Sequence, residues 1–262
     1  MKKKLLICGI NSLLFSILKD CGIKNYDAIS HKEIQNINFE NYEVILLLSF
    51  DPKFYKERIN ITSSFEKNIT DKIQLSDSHL IYISTSKLYE NNKSKILNED
   101  IIINDDQISI YAYNKKIIEE YFMINLNNNC TILRLSNILH SRKYGKNRKT
   151  FMATFYKNLS SGFINMPNNS FKKDFIDQET FKNVLMIIIF DYKSFLGIYN
   201  IGSGVCFKND DFISAANSYG VSKLTYGGST DSFQLDISKI KRKINIDLDI
   251  NKLKNILYEY CK

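Results

Sequence analysis

A chain of 262 residues with 44% hydrophobic and 24% charged side chains can bury a substantial core, which excludes wholesale disorder. The net charge of +8 is spread along the chain with no clustered basic and aromatic face, so small polyanions are expected as partners and nucleic acid is not. The 5 cysteines, at 8, 21, 130, 206 and 261, lack metal-ligand or redox spacing, and with only 3 His no metal site is expected and the compartment reads as reducing.

Residues 4–8 read as a first strand. The lysines at 2, 3 and 4 and the apolar residues after them imitate a signal peptide, but the apolar run breaks at Gly9 and Asn11 and no small-residue cleavage site follows. Residues 184–190 are too few to span a bilayer, so a cytoplasmic protein without membrane contact is expected. Residues 12–20 suit a helix with Gly22 as its cap, 26–30 a short strand, and 44–49 (VILLLS) a strand buried on both faces. A helix over 59–72 and a strand over 80–84 (LIYIS) follow, then a polar loop over 91–106. A long helix over 111–125 leads into a strand over 131–135 (TILRL). Beyond 140 the alternation loosens to a helix near 181–190, a strand near 198–201 and a basic helical tail over 236–260.

Strand-helix alternation of this kind predicts an α/β fold, a Rossmann-type doubly wound parallel sheet with right-handed crossovers. Residues 1–140 would form that core and 141–262 mainly a small C-terminal substrate-binding lobe, with 171–201 returning to the core. The ligand belongs at the carboxyl ends of the strands.

A dinucleotide site wants Gly-x-x-Gly-x-x-Gly between first strand and helix, for a tight turn and close approach to pyrophosphate. Gly9-Ile10-Asn11-Ser12-Leu13-Leu14-Phe15 keeps the first glycine alone. Ser12 suits a helix N-cap and can donate to a phosphate, whereas Phe15 stands where the third glycine lets helix and strand pack closely. Either the helix shifts outward or dinucleotide binding is lost. Gly9, Asn11, Ser12 and Leu13, with Ser49 at the end of the third strand, are the candidate cofactor contacts. About twenty residues after Gly9, where a carboxylate holds the ribose of NAD, the chain reads Ser30-His31-Lys32, with no acid until Glu33. His31 and Lys32 favour the 2′-phosphate of NADP, with NAD left open.

Tyr111-Ala112-Tyr113-Asn114-Lys115 is a Tyr-x-x-x-Lys at the start of a helix. Residues four apart share a face, so the ammonium can approach the phenol, favour phenolate and prepare it to pass a proton while hydride moves to or from nicotinamide. Tyrosine and lysine are abundant here, and the pattern alone is weak.

Its surroundings strengthen it. Ile81-Tyr82-Ile83-Ser84-Thr85-Ser86-Lys87-Leu88-Tyr89 resembles the "ISTSSVYG" strand end of extended short-chain dehydrogenases/reductases, the epimerase/dehydratase family. Leu133-Arg134-Leu135-Ser136-Asn137-Ile138 resembles "LRLSNVYG", Lys173-Asp174-Phe175-Ile176-Asp177 resembles "RDFIHV", and Tyr199-Asn200-Ile201-Gly202-Ser203-Gly204 resembles "YNIGSG", all in the family's order. The resemblance implies Tyr111 as general acid/base, Lys115 on the nicotinamide ribose, and Thr85 bonded to the reacting oxygen. It implies Ser86, Asn137 and Lys173 as substrate contacts, Lys173 replacing an arginine and losing its bidentate geometry. As bland alternatives, Asn137 serves a loop turn and Lys173 is a surface charge.

The expected activity is NADP-dependent reduction of a 4-keto nucleotide-sugar, making a deoxysugar for a surface polysaccharide. Family dehydratases carry an acid pair where Ser86 and Lys87 stand. A nucleotide-sugar 4-epimerase would use the same three residues, and a cofactor-poor Rossmann binding or regulatory protein would explain the depleted glycines. Ile117, Ile118 and Tyr121 form an apolar stripe that suits either a homodimer contact or the core.

Overall fold

The computed structural model describes residues 4–20, 22–92, 94, 96–146, 148–166, 171–221, 223–227 and 232–261. Cys21 and the lysines at 2 and 3 lie outside the described residues. In chain order the elements are β1 (Lys4–Cys8), α1 (Leu13–Lys19), β2 (Tyr26–Ile29), β3 (Tyr42–Leu47), α2 (Phe65–Gln74) and β4 (His79–Thr85). Then come β5 (Ile96–Leu97), α3 (Ile110–Leu126), β6 (Cys130–Leu135), β7 (Asn137–Leu139), α4 (Arg142–Gly145), α5 (Phe151–Ser160), β8 (Phe163–Met166) and β9 (Lys172–Asp177). The chain ends with α6 (Gln178–Phe190), β10 (Gly197–Ile201), β11 (Cys206–Lys208), α7 (Asn209–Ser218), β12 (Lys223–Tyr226), β13 (Ser232–Leu235), α8 (Ser238–Lys241) and α9 (Ile250–Cys261).

Two compact units result. The first holds residues 1–88, 103–135 and 184–199 around a six-stranded sheet ordered β10-β6-β4-β3-β1-β2. The pairings of β1 with β2 and β3, of β3 with β4 and of β4 with β6 are all parallel. Every residue of β4 and β6 is buried, because helices cover both faces of such a sheet and its strands need apolar side chains on each side. Leu6, Ile45, Leu47, Tyr82, Ile118, Phe122 and Ile132 make up one buried cluster. The strand order reverses around β1, the switch point where a ligand crevice opens in folds of this type. The expected α/β doubly wound fold is the one observed.

Short polar side chains set the helix boundaries. The Ser12 hydroxyl accepts the Phe15 N–H and starts α1. The helix expected from residue 59 begins at Phe65, because Asn60 closes a local turn on Thr62 and Ser64 supplies the cap.

The second unit, residues 89–102, 136–183 and 200–262, holds a sheet ordered β11-β9-β13-β5 with β7 paired to β9, and the pair β12-β8. Residues 184–199 are grouped with the first unit. Within the polar segment 91–106, residues 96–99 are tied down: β5 pairs with β13, Leu97 is buried, and Glu99 accepts the Asn200 N–H at 2.7 Å. The basic tail is two helices, since Asp249 caps α9 while Ile244 and Ile246 bury the chain between. Among the described residues no helix is long and apolar enough to cross a membrane.

Asp174 on β9 is fully buried and accepts the Ser203 and Gly204 N–H groups, each at 2.9 Å. A Cβ on Gly202 would lie 2.5 Å from its Oδ1. Burial pushes this carboxyl up to about 7. Between about pH 4 and that value the folded chain holds a proton that the unfolded chain releases, so the stability gained is present in acid and lost as pH rises. The unfolding free energy of the protein relative to Asp174→Asn, from urea titrations, is therefore expected to fall between about pH 4 and about pH 7. A flat or rising difference contradicts this assignment.

Candidate active site

Gly9, just past β1, has φ +124°, a conformation that side chains avoid. A Cβ there would sit 2.9 Å from both the backbone N and the Oγ of Ser49. The Gly9 N–H donates to the Ile29 carbonyl at 2.8 Å, and the Leu48 N–H to the Cys8 carbonyl at 2.9 Å. Gly9 is thereby held against the ends of both β2 and β3, and only hydrogen fits in place of its side chain. Ser49 is buried, and its hydroxyl has no hydrogen-bond partner among the described residues.

The missing glycines are accommodated differently. Ser12 donates its N–H to the Gly9 carbonyl at 3.0 Å and caps α1, so the turn closes without a second glycine. Asn11 is exposed and Leu13 half-buried. Phe15, at the third position, is half-buried and meets Tyr26 of β2 edge-on, with ring centroids 6.5 Å apart. After β2, Ser30 donates its N–H and its hydroxyl to the Glu33 carboxylate at 2.8 and 2.7 Å, which holds that acid below its usual range. One 3₁₀ turn thus brings back to the strand end an acid that stands three residues further along the chain. His31 and Lys32 are exposed beside it.

Tyr111 is the second residue of α3, whose cap is Ser109. Its half-buried ring stacks on Tyr55, 4.8 Å away and 7° from parallel, and meets Phe50 edge-on at 5.0 Å. Asn114 explains that stack: fully buried, it donates to the carbonyls of Phe54 and Glu57 and accepts the Ile59 N–H, pinning this loop to the tyrosine's helix.

Lys115, one turn on, is buried. Its ammonium donates to the Ile83 carbonyl at 2.8 Å and lies over the rings of Tyr82 and Phe50 at 4.4 and 4.8 Å. Phe50 is therefore shared between the phenol ring and the ammonium. Burial pushes Lys115 down to about 7, against the opposing pull of Glu66 and Glu119. Thr85 ends β4, two residues after Ile83, and its Oγ1 accepts the Lys87 N–H at 3.2 Å. Ser86 is buried at the start of the next turn.

Asn137 and Lys173 belong to the second unit, where both lie in strands. Asn137 of β7 pairs with Phe175 of β9, and Lys173 of β9 holds its ammonium 5.8 Å from the Phe171 ring. Adjacent strands thus carry the two predicted substrate contacts. The same unit has a cavity of about 260 Å³ lined in part by Lys149, Thr150, Phe151 and Asn165. No motif in the sequence marks it, nor does any mark Asn114, Tyr55 or the buried Glu66.

No family model and no curated protein sequence matches the chain. Solved structures match it along nearly their whole length. A UDP-N-acetylglucosamine 4-epimerase from Methanobrevibacter ruminantium M1, in complex with UDP-N-acetylmuramic acid, is similar at TM-score 0.79 and 16% identity over 100% of this chain and 98% of that one. A UDP-glucose 4-epimerase from Thermotoga maritima, with UDP-glucose, gives 0.79 and 16% over 98% of each. A GDP-mannoheptose C4 reductase from Campylobacter jejuni, with NADP bound, gives 0.71 and 14% over 99% and 98%. The chain has their fold. The similarity spans both compact units, so the second is part of a shared architecture.

Replacing Gly9 with Ala forces a side chain into a strained φ and against Ser49, and is expected to cost about 1–3 kcal/mol in unfolding free energy. Gly22→Ala also has positive φ but meets no atom within 4 Å, so its cost is the conformational one alone. Equal losses for the two variants in thermal unfolding would refute the close approach at Ser49.

Proposed function

We propose that this protein is an NADP-dependent reductase of a 4-keto nucleotide-sugar, working in the cytoplasm in deoxysugar synthesis for a surface polysaccharide. The observation that carries this reading is the bond from Lys115 to the Ile83 carbonyl. It fixes the helical turn bearing Tyr111 against the strand end bearing Thr85. The glycine-only space at Gly9 beside the unpartnered Ser49 hydroxyl fits a dinucleotide. Gly9, Asn11, Ser12 and Leu13 would hold its pyrophosphate, Ser49 and Lys115 its nicotinamide half, and His31 and Lys32 a 2′-phosphate. NADPH is preferred over NADH because two basic side chains flank one carboxylate that already accepts two bonds from Ser30.

When bound, the nicotinamide supplies the hydride that reaches the sugar's carbonyl carbon. Tyr111 gives its phenolic proton to the carbonyl oxygen as that oxygen gains charge, and the Thr85 hydroxyl donates to the same oxygen. Lys115, as an ammonium, stabilises the phenolate left behind. Ser86, Asn137 and Lys173 are the proposed contacts to the nucleotide-sugar. A homodimer belongs to the same reading, through the face of α3 where Ile117 and Tyr121 are half-exposed and Ile124 is 79% exposed; Ile118 is buried in the core.

Tyr111→Phe removes the transferred proton and is expected to lower NADPH consumption with a 4-keto nucleotide-sugar by roughly 10²–10⁴-fold, with NADPH affinity retained. Full activity in that variant overturns the mechanism. A 4-epimerase is the second reading, favoured by two of the similar structures being 4-epimerases and by the same three side chains serving both reactions. Interconversion of two nucleotide-sugars without net NADPH consumption would establish it. Failure to bind any dinucleotide would point to the cofactor-poor binding protein.

A further inference from the structure

The Glu66 carboxylate has no part in the chemistry above. Glu66 is the second residue of α2, after the Ser64 cap, where an acid normally faces solvent and complements the helix dipole. Here it is 1% exposed, and neither carboxylate oxygen completes a hydrogen bond among the described residues. Burial raises this carboxyl above its usual range. A core does not keep such an acid cheaply unless a charge answers it.

Lys115 is that charge. α2 and α3 pack side by side, and Lys115 is buried with one carbonyl and two ring faces as its direct neighbours. Glu66, on the neighbouring helix, favours its ammonium form. Glu119, on the lysine's own helix, favours it as well but is already engaged by Arg134 of β6, with oxygen–nitrogen distances of 2.8 and 3.0 Å. The other groups facing the cluster are the Tyr82 hydroxyl of β4, which has no hydrogen-bond partner among the described residues, Tyr111 of α3, and Asp51, whose charge opposes ionisation of Glu66.

We propose that Glu66 is the buried counter-charge of Lys115, a positioning residue that keeps the lysine an ammonium and so sets the charge available to the Tyr111 phenol. Its catalytic meaning rests on the reductase reading, whereas the pairing itself does not.

The direct test follows the carbon-13 side-chain signal of Lys115 with pH in lysine-labelled protein, the signal being assigned by its loss in Lys115→Met. Glu66→Gln keeps the shape and removes the charge. The Lys115 midpoint is expected to fall by about one pH unit, roughly a tenfold loss of proton affinity. A change below about 0.3 unit overturns the proposal. Should Glu66→Gln not fold, the Glu66 carboxyl signal is followed in the wild type and in Lys115→Met. Its midpoint rises when the ammonium is removed, and an unmoved midpoint overturns the pairing. The pH midpoint of NADPH binding should move with that of Lys115. A shifted Lys115 midpoint in a protein that binds no dinucleotide upholds the pairing and defeats the reductase reading.

Discussion

A buried ammonium is costly to place in a protein core, and this fold places one at the junction of a fully buried strand, β4, and its long helix α3. Lys115 reaches across from α3 to the Ile83 carbonyl, a group that lies near the end of β4. Without this carbonyl the buried lysine would lose its hydrogen-bond acceptor. Together they set the position of the first turns of α3, and with it the place of Tyr111 beside Phe50 and Tyr55. Thr85, two residues beyond Ile83, inherits its position from the same bond.

The second constraint is spatial. β1 and β3 run parallel as neighbours at the switch point, and their ends approach so closely that Gly9 has room only for hydrogen. This single glycine does what the strand end demands. The others of the three-glycine pattern serve the helix, and here the helix uses a serine cap and a ring packed on β2 instead. Loss of glycines in a sequence therefore does not by itself report loss of the turn.

The sheet was legible because its strands are unbroken apolar runs: the 80–84 run lies inside β4 and the 131–135 run inside β6, each strand starting one residue earlier than its run. Boundaries governed by side-chain caps were less so: Asn60 and Ser64 delay α2 by six residues, a competition between local hydrogen bonds that periodicity does not register. Segment 91–106 looked like a loop because its two-residue strand gains order from β13, far along the chain. In the candidate site, Tyr111, Lys115 and Thr85 were named from motifs. Glu66 was hidden, since an acid in the first turn of a helix is ordinary until burial shows that it points inward. Glu33 was judged too distant from β2 because chain separation says nothing of a 3₁₀ turn that folds the carboxylate back onto Ser30.

The central claim is that the lysine anchored to β4 stands at a dinucleotide crevice. Fluorescence titration of NADPH into the wild-type protein and into Lys115→Met tests it most directly. The account predicts saturable binding to the wild type at micromolar concentrations and a loss of affinity of at least about tenfold in the variant, worth about 1.4 kcal/mol. Absence of saturation in the wild type at about 1 mM, or equal affinity in both proteins, would contradict it.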